Sequence, residues 1–123
     1  MSTSSAQAAT FYTEALREGA VWTVRDEAGF PAPMNSEGVR AHPFWSLRNR
    51  VDRVVEHVPA YAGFTPTQIP LDVFRSRWLP GMARDGLHVG LNWAGQHATG
   101  YDLAADAVET NLAAYDARSP HHP

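Results

Sequence analysis

The chain has no cysteine in its 123 residues. Disulfide frameworks, thiolate metal sites and cysteine nucleophiles are therefore excluded. It has no lysine either: all ten basic residues are arginine. That removes lysine Schiff bases and the lysine of a phosphate-binding P-loop, and it is the usage a GC-rich genome produces. No apolar run approaches the ~20 residues a membrane helix needs. Met1 to Gln7 lacks the basic-then-apolar order of a secretory leader, so a cytoplasmic setting without a membrane partner is expected. A basic excess is missing too. The net charge is −3, which argues against a nucleic-acid module, since those present a basic face.

What is present is the material of a core. Hydrophobic residues make up 44% of the chain and aromatics 11%, with four Trp, four Tyr and five Phe. Each large side chain is worth about 1.5–3 kcal/mol when fully buried. The length allows one domain, 1–123, and no second core. Its ordered part is expected at about 5–116, with residues 1–4 frayed and 117–123 a disordered tail.

Leu71 to Trp93 shows the sharpest change of period. Leu71, Phe74, Trp78, Leu79 and Met82 have helical spacing, whereas Leu87, Val89, Leu91 and Trp93 alternate as in a half-buried strand. Gly86 between them suits a left-handed helix stop. Both apolar faces must then meet one core. Pro80 is expected to kink the helix.

Before this unit, Ser5 to Glu18 reads as a helix with Ala8, Phe11, Tyr12, Ala15 and Leu16 on one stripe, stopped by Gly19. Ala20 to Arg25 reads as a strand. The turn Asp26 to Gly29 would send Phe30 to Met34 back as its hairpin partner. Pro31 and Pro33 share one side of that segment, which would place it at a sheet edge. Val39 to Phe44 has no clear assignment. Ser46 to Val58 is the strongest amphipathic helix, with Phe44, Leu47, Val51, Val54, Val55 and Val58 in one arc and Ser46 as N-cap. Residues 59–70 form a long, packed connection in which Thr67 to Ile69 allow a short strand.

After Trp93, His97 to Tyr101 returns as a partner strand of unfixed register. Asp102 is placed to cap a last helix, about Leu103 to Asp116. The class is α+β: a mostly antiparallel sheet built from two hairpins and covered by about four helices.

The chain resembles an uncharacterised bacterial family, domain of unknown function 2750. Val21 to Asp26 with Gly29-Phe30, Pro43-Phe44-Trp45 and Ile69 to Phe74 carry the likeness. So do Trp78 to Met82, Asp85-Gly86, Val89, Asn92-Trp93 and Gly100 to Leu103. Pro70 departs from the pattern, which has a Ser-like cap there. The resemblance implies no catalytic role for any residue. The pattern is also loosely similar to small α+β domains of bacterial immunity and secretion-accessory proteins.

Three constellations could carry function. Arg50, Arg53 and His57 line up at i, i+3 and i+7 on the helix from 46, with Arg48 on its other border. Beside a helix N-terminus, guanidiniums build an anion site. The competing reading is a solvated face paired to Asp52 and Glu56. Trp45 lies off the apolar arc and is either part of a protein-binding patch or folded back onto the core. His88, Asn92, His97 and Asp102 would bind a metal only if one register gathered them. Ser46 and Ser76 lack a nucleophile-elbow setting. The carboxylates Asp26, Glu27, Asp102 and Asp106 have turn or cap explanations.

No catalytic, cofactor or metal signature emerges. The leading expectation is an interaction module, with the immunity-like accessory role that the loose similarity implies, that binds a protein partner or itself through an aromatic and Arg-bearing surface. The alternative is a small-anion binder at the start of the helix 46–58, using Trp45, Arg48, Arg50 and Arg53. A metal-dependent enzyme ranks third.

Overall fold

The computed structural model describes residues 3–118. The expected fraying at residues 1–4 and the tail at 117–123 thus fall largely outside the described residues, though Ala117 closes the last helix and Arg118 caps it. The elements run α1 (Thr3–Glu18), β1 (Ala20–Arg25), β2 (Ala41–Phe44), α2 (Arg48–His57), β3 (Thr65–Pro70), α3 (Leu71–Val73), a π-helical turn (Phe74–Trp78), α4 (Leu79–Arg84), β4 (His88–Ala94), β5 (Thr99–Ala104) and α5 (Ala105–Ala117). This is an α+β fold.

The first hairpin is not formed. β1 pairs antiparallel with β3, from Ala20 opposite Pro70 to Arg25 opposite Thr65. The turn at Asp26 closes on Gly29, but the chain then leaves β1. Met34 instead bridges Arg40, and Pro33 accepts from the Ala41 amide at 2.9 Å. Phe30 to Met34 carries two prolines in five residues. β3 also holds two prolines, yet it keeps its donors. The Leu71 amide bonds the Gly19 carbonyl at 2.9 Å, so odd-numbered residues of this segment face β1. Pro66 and Pro70 therefore turn their missing N–H outward, where it costs nothing.

β2 joins parallel to β4, and β4 is antiparallel to β5. Every residue of β2 is buried, so it shows no alternation by which to recognise it. The two sheets meet at one bridge: Trp22 and Trp45 exchange both backbone bonds, each at 2.7 Å. The ladder goes no further because Pro43, which faces β1 by the same parity as Trp45, has no amide. Its carbonyl accepts from the Thr23 hydroxyl at 2.9 Å.

α1, α5, the π turn and α4 cover one sheet face, with Phe11, Phe44, Phe74, Val89, Leu91 and Leu112 at the centre. Trp78 packs on this cluster with Leu91, so the helix and strand flanking Gly86 do share a core. Gly86 (φ 71) ends α4 with amide bonds from Gly86 to Ala83 and from Leu87 to Met82, a Schellman stop. Pro80 does not break the helix. The turn before it widens, and the Leu79 amide reaches back to Phe74. α2 covers the other side, packing Val51, Val54 and Val58 on Val24, Trp45 and Trp93; Phe44, expected on this arc, belongs to the first cluster. α5 begins at Ala105, not Leu103, and Asp102 does not cap it.

His42 lies buried on β2, stacked on Phe44 and edge-on to Trp78. The Thr23 hydroxyl gives its single hydrogen to Pro43, so Nε2 of His42 must donate to Thr23 Oγ1, 3.0 Å away. Burial disfavours the charged ring and lowers its pKa to about 4, so the ring is neutral at pH 7. Because an unfolded His titrates near 6.5, unfolding takes up a proton between these values. Stability is expected to be full above pH 6.5 and to fall by about 3 kcal/mol as pH drops towards 4. Urea unfolding at pH 7 and pH 4.5 measures this, and His42→Gln should flatten the dependence in that window.

Candidate functional site

The residues singled out in the sequence separate in the fold. Trp45 is completely buried; its indole N–H donates to the Trp93 carbonyl at 2.8 Å and its ring meets Tyr61 edge-on. It is a core residue and presents no exposed patch. Arg48 pairs with Asp52 at 3.5 Å and lies over the half-buried ring of Trp22. Arg50 grips Glu14 through Nε and Nη2, both at 2.8 Å. Arg53 makes no hydrogen bond or ion pair among the described residues. Of the two pairings expected along the helix, Arg48 with Asp52 at i, i+4 forms, whereas Glu56, the i+3 neighbour of Arg53, lies 3.7 Å from His57.

Nor is Ser46 the cap of the helix. α2 starts at Arg48, with Leu47 at the N-cap position and no side-chain bond to it. Ser46 is buried in a polar network instead. Its hydroxyl donates to Glu14 at 2.6 Å and accepts from the Asn92 amide at 2.9 Å, while Asn92 Oδ1 takes the Ser46 N–H at 2.9 Å. Burial alone would push the Glu14 carboxyl up, but the Arg50 and Ser46 bonds outweigh it and leave the pKa lowered. The guanidinium of Arg50 is correspondingly raised by the Glu14 bond. Glu14 was read from sequence only as an off-stripe helix residue. No local pattern marks a pair that closes across 36 positions.

Asn92 sits in the left-handed region (φ 54), as does Ala98 (φ 51) at the other end of the turn. The β4–β5 register shifts between Leu91 and Ala94. This bulge takes Trp93 off the face that Val89 and Leu91 share and into the second cluster. The strict alternation expected from Leu87 to Trp93 fails at that point. The Trp93 ring covers Gly90, where a Cβ would come within 2.4 Å of it, and its N–H donates to the Tyr101 carbonyl at 3.0 Å.

Trp93 lines two concavities. The first, about 270 Å³, lies between α2 and the β4–β5 turn, with Arg50, Arg53 and His57 along its helical rim, Gln96 opposite, and Trp45, Asn92 and Trp93 within. No lining residue is acidic. The charges thus gather along the flank of α2 and not at its N-terminus, and Arg48 lies outside. The second, about 730 Å³, is a groove between the Pro31–Ser36 segment, the aromatic rings of Tyr61 and Phe64, and the β5 residues Thr99, Gly100 and Asp102. Arg40 stands on it, and among the described residues its guanidinium bonds only the Ala32 carbonyl.

The metal constellation is split. His88 Nδ1 meets Asp102 Oδ1 at 2.7 Å, and Asn35 donates to the same oxygen at 3.2 Å. Asn92 points to Ser46, and His97 is exposed in the turn. Among the described residues no three His, Cys, Asp or Glu side chains gather as a metal site would require. No helix among them is long and apolar enough to cross a membrane.

Residues 8–112 match the model of a protein family of unknown function, DUF2750, and the chain belongs to that family. No curated protein matches it.

The Ser46–Asn92 pair yields a stability test. Asn92→Ala strands the buried Ser46 groups and leaves a left-handed alanine, at an expected cost of about 2–4 kcal/mol in chemical denaturation. Asn92→Gly relieves the backbone strain alone and should recover about 1 kcal/mol of that loss.

Proposed function

We propose that this member of the DUF2750 family is an interaction module that takes an extended segment of a partner protein along β5. The observation that carries the reading is the contrast between the two ends of the sheet. β3, at one end, turns Pro66 and Pro70 outward. β5, at the other, has one strand neighbour, β4. Its sequence Thr-Gly-Tyr-Asp-Leu-Ala holds none of the prolines or basic side chains that blunt an edge. Its one charge, Asp102, is already engaged by His88 and Asn35.

The groove beside β5 supports the same reading. A strand added to an edge gains affinity from main-chain bonds and specificity from pockets that take alternate side chains. Here Tyr61, Phe64 and Met34 provide an apolar wall, and Arg40 a cation without an acidic partner among the described residues. Met34 is 57% exposed and Tyr101 38%, the kind of apolar surface that interfaces use. The aromatic and Arg-bearing surface expected around Trp45 is thus assigned to a different part of the molecule. The bacterial, cytoplasmic setting expected from the sequence is part of this proposal.

Selection of random twelve-residue peptides on the immobilised full chain tests it. The expected winners alternate apolar and polar residues and slow amide hydrogen exchange across 99–104. They lose at least tenfold in affinity to Tyr101→Lys and to Phe64→Ala, each compared with the parent chain at equal folded concentration. Winners that leave β5 exchange untouched, or no winners at all, would refute strand addition.

A further inference from the structure

The smaller concavity has chemistry of its own that strand addition does not use. We propose that it binds a small organic oxyanion, a carboxylate or a phosphate monoester, on Arg53, with His57 and Gln96 as further donors.

The argument starts from charge. Arg50 contributes little net field, since Glu14 neutralises it through two bonds of 2.8 Å. Arg53, one helical turn on, has no such partner among the described residues, and none of the residues lining the cavity is acidic. His57 follows one turn later, so three donor-bearing side chains rise along one rim at the spacing that stacks them. A guanidinium offers a planar fork of N–H groups that matches carboxylate and phosphate oxygens two at a time.

The interior sets the remainder of the ligand. Val54, Val58 and the indoles of Trp45 and Trp93 make it apolar, and an ion pair formed against such a wall is screened less than one in open water. At about 270 Å³ the space lies just under the roughly 300–1,000 Å³ of drug-sized sites. It fits one ring or a short chain. The position of the cavity is fixed by the buried bonds that hold its inner wall: Trp45 to the Trp93 carbonyl, and Ser46 to Asn92. The rim is adjustable, because Arg53 is exposed and unanchored.

Calorimetric titration of the full chain with phenyl phosphate, benzoate and neutral benzamide tests the proposal. At least one of the two anions should bind, and benzamide at least tenfold more weakly. The tighter of the two anions identifies the headgroup as phosphate or carboxylate. Arg53→Gln should weaken that anion at least tenfold with an unchanged melting temperature. Arg48→Gln, on the same helix but outside the cavity, should leave it alone. Binding of benzamide as tight as that of the anions, an unaffected Arg53→Gln protein, an equal loss in Arg48→Gln, or no binding of either anion would each overturn the assignment.

Discussion

One residue in an uncommon backbone conformation governs the half of this molecule that holds both concavities. Asn92 passes through the left-handed region, and its side chain holds it there by bonding both the amide and the hydroxyl of buried Ser46. An asparagine tolerates that conformation better than most residues. The result is a bulge, and a bulge reverses the side from which the next side chain emerges. Trp93 therefore leaves the core of α1 and α5 and stands between the two concavities. Its carbonyl anchors Trp45, its ring lies on Gly90, and its N–H holds Tyr101.

The sequence made the local elements legible where one face is buried and the other is not. α1, the helix from Leu71 and the stripe on α2 follow their apolar spacing. Gly19 and Gly86 end helices with positive φ. What escaped was non-local or symmetric. β2 is covered on both faces and has no alternating pattern. The choice of β3 over Phe30 to Met34 as the partner of β1 has no local signal, because the prolines of either segment share one side and can turn outward. Pro80 cannot donate in a regular α turn, and the helix accommodates it with a π turn, common where helices absorb an irregularity.

The candidate site was partly visible. The i, i+3, i+7 spacing correctly put Arg50, Arg53 and His57 on one side of a helix. It could not show that Glu14 satisfies one of them, or that Glu56 leaves Arg53 without an ion pair among the described residues. Ser46 and Asp102 have the side chains of caps, and both are consumed by tertiary bonds instead. Trp45 looked misplaced on its helix because it precedes the helix and belongs to the backbone bridge that unites the sheets.

That bridge leaves a continuous order of strands, β3, β1, β2, β4, β5, whose two ends are unlike. One terminus of the row is sealed by imino acids and the other is available. A molecule with a single sticky rim can recruit one neighbour and then stop. Growth into a fibre would need a second such rim, so the proposed pairing along β5 would stop at one addition.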